Sequence, residues 1–509
     1  MKKKEKIRVK VKTEFKTKMQ TNTNTETNTI NSNRGITLVA LVVTIVVLII
    51  LATISINAVI GENGIIRRAQ QAKELNQNAI ISESEALNTL LEEYNNAIAE
   101  PVIYEDNTLP TAPKITQGMT RVKYNSTSGK WERVTDVSTK WYDYANKEWA
   151  NVVLGDATFN SDGTLDESKP YSQLVWIPRF AYQITSQYHT ASDSAGNINV
   201  VFIDENNQNK EKTKTYSTTY PVATTGMSDY VVHPAFDYDG KHLSGFWMGK
   251  FESSHTGCTT DVATGQATFT GNEVMTIKAN VTSWRNITIG DAFTTCLNMN
   301  KSGNPYGLHS SDAIVDPHMV KNDEWGAVAY LSKSIYGKNT EEVYINNSST
   351  FITGNAGEAE DASSVSGIIN AYNTTNGMKA STTGTIYGVY DMSGGNWERV
   401  AVYVNNGHGN LENGIILVNA AEKYKNVYAA TATDGNDSQS GNYNLSAPDN
   451  GHYGDAVYET SGLHAGQKSW NKDYSDFPFT EVPFFIRGGD YGNASSAGIF
   501  SFRFYCWWI

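Results

Sequence analysis

The chain has 509 residues, with 41 Lys and Arg against 53 Asp and Glu, for a formal net charge of -12. That length exceeds one ordinary domain, and 28 Tyr, 11 Trp and 17 Phe are ample for a core. Three cysteines, Cys258, Cys296 and Cys506, are too few for a disulfide scaffold, and an acidic body repels the phosphates of nucleic acid, which excludes that partner.

The charge is unevenly placed. Residues 1–35 carry a net +7 and the remainder -19. Residues 36–60 follow without one charged side chain, long enough as a helix to cross a hydrocarbon core of roughly 30 Å. The basic block is then a positive-inside determinant, holding the N-terminus in the cytoplasm and sending the rest outward as a single-pass surface protein. The polar run Thr21–Asn33 cannot bury enough surface to order itself, so 1–35 reads as a leader.

From 61 to 100, Ile66, Ala69, Ala72, Leu75, Ala79, Ala86, Leu90 and Tyr94 recur at three- and four-residue steps, which predicts an amphipathic stalk helix ended by Pro101. Residues 101–170 read as a small β-rich module. Its Trp131, Trp141, Tyr142, Tyr144 and Trp149 are expected to fill a core poor in aliphatics rather than to stack sugars. From 171 onward short strands (Leu174–Ile184, Val200–Ile203, Phe246–Glu252, Phe484–Ile486) alternate with polar insertions at 204–229, 338–380 and 405–470. Helices are expected over Trp284–Asn300 and Asp323–Tyr336, the second capped by Asn322 or Asp323. The fold class is therefore α+β: a long N-terminal membrane and stalk helix, then a domain with long irregular loops.

Two resemblances sharpen this. Arg34-Gly35-Ile36-Thr37-Leu38-Val39, followed by an unbroken apolar helix, resembles the type IV prepilin signature. The resemblance implies cleavage between Gly35 and Ile36 by a prepilin peptidase, with pilin subunits as further partners. The fifth mature residue is Ala40, where that family carries a Glu that pairs with a neighbouring subunit's amine. The helix is thus expected to anchor, while filament assembly loses a contact.

The second rests on five motifs in order: Leu174-Val-Trp-Ile-Pro178, Phe246-Trp-Met-Gly-Lys-Phe-Glu252, Asn322-Asp-Glu-Trp-Gly-Ala-Val-Ala329, Gly388-Val-Tyr-Asp-Met-Ser-Gly-Gly-Asn-Trp-Glu398 and Ile486-Arg-Gly-Gly-Asp490. Together they resemble the formylglycine-generating-enzyme (sulfatase-modifying-factor) family, a variant of the C-type lectin fold, over residues 171–509. Enzymes of that family hold copper on two closely spaced C-terminal cysteines. Only Cys506 lies in that region, so the resemblance implies the fold without the oxidase chemistry. Its alternatives are an enzyme of that type and a minor pilin. By the same resemblance Asp391, Gly394, Asn396 and Glu398 are expected to hold a structural calcium, carboxylate and carbonyl oxygens being suited to a hard cation.

The last 24 residues alternate Phe500, Phe502 and Phe504 with Ser501, Arg503 and Tyr505. The phenylalanines are expected inward and the other three outward. R-G-G, a polar turn and an alternating strand resemble the variable proteins of diversity-generating retroelements, whose diversified C-terminal side chains bind ligand. That resemblance implies Asp490, Tyr491, Asn493, Ser495, Ser496, Ser501, Arg503 and Tyr505 as the contact set for an extracellular protein or glycan. The family continues to a closing G-F-R-like strand, whereas these residues run to Cys506-Trp507-Trp508-Ile509, so that strand is expected to be replaced or lost.

Overall fold

The computed structural model describes residues 38–60 and 109–504, apart from 117, 136–139, 156–158, 221–225, 261–268, 302, 307, 309–314, 363–367, 430–452, 463–466 and 479. The basic leader, the Gly35–Ile36 processing site, the expected stalk at 61–100, and Tyr505 and Cys506 lie outside these residues. The chain divides into two units, 1–100 and 101–509.

The first unit contributes α1, Leu38–Ile60, 23 residues without a charged side chain. Its described side chains, at 39 and 41–52, are all exposed. Among the elements whose side chains are described, none is long and apolar enough to cross a membrane.

The second unit opens with β1 (Met119–Asn125), β2 (Lys130–Arg133), β3 (Asn151–Leu154) and β4 (Ser172–Pro178), then β5 (Phe180–Ile184), β6 (Ile198–Phe202) and β7 (Val231–Val232). Short β8 (Asp237–Tyr238) and β9 (Lys241–His242) precede β10 (Gly245–Gly249), β11 (Ser253–Ser254) and β12 (Thr276–Ile277). Helices α2 (Ile289–Asn298) and α3 (Asn322–Ser332) come next, followed by β13 (Glu398–Asn405), α4 (Ile415–Val418) and β14 (Asn426–Ala429). Then come β15 (Gln467–Lys468), β16 (Tyr474–Ser475), β17 (Phe484–Gly488) and β18 (Gly498–Phe504). The architecture is mixed α+β, with few helices and many short strands.

A seven-stranded sheet runs β11-β12-β4-β3-β1-β2, with β10 also paired to β4. A six-stranded sheet runs β14-β13-β17-β18-β16-β15. All of β4 is buried, which explains its unbroken apolar run rather than an alternating one. The expected strand Leu174–Ile184 is two strands broken at Arg179. That side chain is fully buried, its guanidinium bonding Phe236 O at 2.8 Å and pairing with Asp237 at 2.9 Å.

The module expected at 101–170 is not a separate layer. β3 pairs with β4 from Asn151↔Val175 to Leu154↔Ser172, and Trp149 donates its indole N–H to Tyr336 O at 2.9 Å. Trp131, Trp141, Tyr142, Tyr144 and Trp149 are all buried, in one core with Trp325 and Phe500. These aromatics therefore serve as core, as their setting among few aliphatics suggested.

Helix α3 lies wholly inside the unit, every residue from Asn322 to Ser332 buried. Its cap differs from the expected Asn322 or Asp323: Lys321 occupies the N-cap, and the Glu324 carboxylate accepts the Lys321 amide at 2.9 Å. Trp325 donates to Ile499 O of β18 at 2.8 Å, tying the helix to the second sheet. Helix α2 starts at Ile289, later than expected, because Thr288 caps it by accepting the Asp291 amide. Its Phe293 packs with Tyr403 and Phe484 in a smaller second core.

Candidate functional site

The C-terminal contact set is only partly a surface. β17 and β18 are joined by a tight return at Gly488 and Gly489. Gly489 has φ +80°, and a Cβ there would lie 2.6 Å from the Ala497 Cα, so the second glycine of R-G-G is sterically required. The following turn is held by its own bonds. The Asp490 amide donates to Asn493 Oδ1 at 2.8 Å, the Gly492 amide to Asp490 Oδ1 at 2.9 Å, and the Ser496 amide to Asn493 O at 3.0 Å. Asp490 and Asn493 thus spend side-chain oxygens on shaping the turn. Tyr491 is anchored by its amide on Gly395 O at 3.0 Å and by an edge-on contact with Phe351 at 5.0 Å. Ser495 is exposed and Ser496 half-buried.

Ser501 does not belong to that surface. It is fully buried and its hydroxyl donates to Tyr474 O at 3.0 Å. The strand's polar face was expected to look outward, but the segment carrying Tyr474 covers it at Ser501. Arg503 is half-buried, its guanidinium 5.3 Å from the Tyr474 ring and 5.5 Å from the Phe504 ring.

In the expected calcium loop the Asp391 side chain is tied into the fold. Asp391 is buried, and its Oδ1 accepts Asn346 Nδ2 and the Gly354 amide, both at 2.8 Å. Oδ2 accepts the Gly354 amide at 3.0 Å and the Glu252 amide at 3.1 Å. Three N–H groups, the Gly354 amide shared between both oxygens, thus hold this carboxylate in place. Gly394 directs its amide to Gly488 O at 3.1 Å. The Asn396 amide donates to Glu252 Oε1 at 2.7 Å. Among the described residues, no three Asp, Glu, His or Cys side chains converge as a metal-ligand group. Of the four expected ligands, Asp391 is the one whose side chain is engaged by N–H donors within the fold.

Glu252 is the functional-site residue that sequence reasoning passed over. It ends the Phe246–Glu252 motif, but nothing local shows that its carboxylate reaches Asn396, 144 positions away. Gly395, at φ +72°, makes room for it: a Cβ there would lie 2.5 Å from Glu252 Oε1. Burial, and then the charges of Asp391 and Glu398, push the Glu252 carboxyl well above the usual range. Burial and then Asp391 do the same to Glu398.

Beside this cluster opens a cleft of about 1410 Å³, with Trp247, Trp284 and Trp397 in its lining. Of the sequence-predicted residues it takes in Asn396 and Glu398 and none of the C-terminal set. Its rim carries a polar network. Asp316 accepts the Lys423 ammonium at 2.6 Å and the Tyr424 hydroxyl at 2.7 Å, and His318 stacks on Tyr238 at 5.2 Å. Both His318 nitrogens face acceptors, Asp316 O at 2.7 Å and Glu324 Oε1 at 2.9 Å, the arrangement of an imidazolium. Burial pulls the His318 pKa down, but the Glu324 carboxylate outweighs it and raises the ring above its ordinary value.

Cys258 and Cys296 are free and half-buried. Burial pushes Cys296 up to about 12, so it stays a thiol rather than a nucleophilic thiolate. Compared with family models and with curated proteins, the chain matches none.

Proposed function

We propose that the chain is a membrane-anchored, surface-displayed ligand-binding protein without catalytic activity. Residues 171–509 are read as a C-type-lectin-like domain of the formylglycine-generating-enzyme type, carried on a prepilin-like helix. The observation that carries this reading is the 490–496 turn, fixed in shape by its own hydrogen bonds yet presenting Tyr491, Ser495 and Ser496 at an accessible edge. A rigid aromatic beside adaptable hydroxyls is the chemistry of a recognition loop, and pre-ordering lowers the entropy lost on binding. Uncharged α1 supplies the mount, and the basic block before it sets the orientation.

The test is a screen of the full chain, solubilised in detergent, on arrays of glycans and extracellular proteins. A captured ligand that is lost in Tyr491→Ala, with an unchanged melting midpoint, supports the reading. Capture that survives Tyr491→Ala and a Ser495→Ala, Ser496→Ala double variant, or no capture at all, overturns it.

A further inference from the structure

The cleft contains a strand edge that no other strand covers. β10 pairs with β4 from Gly245↔Pro178 to Gly249↔Leu174 without a register shift. The alignment continues past both ends, where the Arg179 amide donates to Ser244 O at 2.8 Å and the Lys250 amide to Gln173 O at 3.0 Å. Hydrogen-bonded pairs alternate along an antiparallel ladder. Phe246 and Met248 therefore bond β4, while Gly245, Trp247 and Gly249 turn their backbone groups the other way. On that side β10 has no neighbour in the sheet. Among the described residues, nothing hydrogen-bonds the N–H or C=O of Trp247 or Gly249 there.

This edge is reachable and unprotected. Gly249 has no side chain, so its partial exposure is that of its backbone, and Phe246, Trp247 and Met248 are half-buried as well. All five residues of β10 line the cleft. Open edges are ordinarily blunted by charge, proline or a bulge, and Gly-Phe-Trp-Met-Gly carries none of these. The Trp247 indole donates to Lys114 O at 2.9 Å and packs 5.1 Å from Trp176, which fixes the strand in advance of any partner.

The pattern of groups selects the occupant. Outward N–H and C=O groups recur every second residue, roughly 6.8 Å apart, which is the repeat of an extended polypeptide. A cleft of about 1410 Å³ exceeds the roughly 300–1,000 Å³ of a small-molecule site and suits a short strand. Trp284, Met299, Leu308 and Trp397 help wall it, a setting for uncharged side chains. Those walls recess β10, so the equally recessed edge of a second copy cannot reach it. An extended segment can.

We propose that the cleft binds an extended, uncharged peptide segment of another protein, which adds to β10 as a strand on the backbone of Trp247 and Gly249. This site is separate from the 490–496 turn and stands or falls independently of it.

The test uses the full chain in detergent and an acetylated, amidated heptapeptide of alternating valine and threonine, read by titration calorimetry. The same peptide is also made N-methylated at its valines, at its threonines, or at both. A strand adding to an edge uses the N–H groups of alternate residues only. At least one singly methylated peptide is therefore expected to bind within about threefold of the parent, and the doubly methylated one at least about tenfold more weakly. Hydrogen exchange across 244–250 should slow when the parent peptide binds. Gly249→Pro removes one outward N–H and leaves the β4 ladder intact, so it should weaken binding about tenfold; the methylated series decides if that variant melts early. Tyr491→Ala should bind the peptide unchanged. No binding of the parent peptide overturns the proposal, as does undiminished binding of the doubly methylated one or equal loss in both singly methylated ones. So does protection of 244–250 that appears without peptide as the chain dimerises, which would assign the edge to a second copy.

Discussion

The Glu252 carboxylate holds the Asn396 amide at 2.7 Å, and this contact exists only because Gly395 has no side chain. A Cβ at 395 would meet Glu252 Oε1 at 2.5 Å, and the backbone there sits at φ +72°. Gly395→Ala therefore combines a buried clash with backbone strain, for an expected loss of about 3 kcal/mol. The thermal midpoint of the purified chain measures it. Gly409→Ala, where a Cβ meets nothing within 4 Å, is the matched control and should leave the midpoint almost unchanged.

Asp391 predicts the effect of metal removal. Its two oxygens already take four N–H contacts from Asn346, Gly354 and Glu252. Adding EDTA or millimolar calcium should leave the melting midpoint where it was, because N–H donors of the chain itself already hold this carboxylate. Asp391→Asn turns an amide group toward N–H donors and should cost about 2–4 kcal/mol, metal or no metal. A midpoint that rises with calcium would reinstate the ion.

His318 sets a pH dependence with a definite sign. Its pKa is raised in the folded chain, because the Glu324 charge outweighs the burial that lowers it. The stabilisation is therefore fully present below the ordinary value of 6.5 and is lost as pH rises through the raised value. Glu324 is the reverse case. Burial raises its carboxyl, but Lys321 and His318 bring it down to about 2, so its stabilisation is lost only as pH falls from 4.5 toward that value. Melting curves from pH 6 to pH 9 should show a decline that is flattened in His318→Asn. An equal decline in both proteins would remove His318 as the cause.

Local chemistry was legible and long-range closure was not. The buried run of β4, the aromatic core at 131–149 and the existence of α3 follow from hydrophobic pattern, which a sequence displays directly. The start of α2 was missed because Thr288, not the apolar pattern, decides it through the Asp291 amide. The sheet shared by residues 101–170 and the rest of the unit was not visible because strand pairing ignores composition: β3 joins β4 across a polar linker. At the site, the Gly394-Gly395 pair was visible, but its reason was not. The residue needing that space, Glu252, lies 144 positions from Asn396, and no spacing rule links them. Asp391 and Glu398 have ligand-like spacing, yet spacing carries no information about N–H donors arriving from Asn346 and Gly354.

The final strand separates residues that hold the fold from residues free to vary. Alternation places Ser501 and Arg503 on one face, yet Ser501 is fully buried with its hydroxyl on Tyr474 O at 3.0 Å, while Arg503 retains access to solvent. Ser501→Ala leaves that carbonyl short of a donor in a dry site and should cost about 1–2 kcal/mol. Ser495→Ala, on an exposed turn, should stay within about 0.5 kcal/mol. The binding consequences run the other way, with ligand capture lost at Tyr491, Ser495 and Ser496 and retained in Ser501→Ala after correction for folded fraction. Sequencing the 3′ coding segment across clonal descendants gives an independent check. Substitutions should gather at codons 491, 495, 496 and 503 and avoid 501, and changes at 501 as frequent as at 495 would remove the distinction.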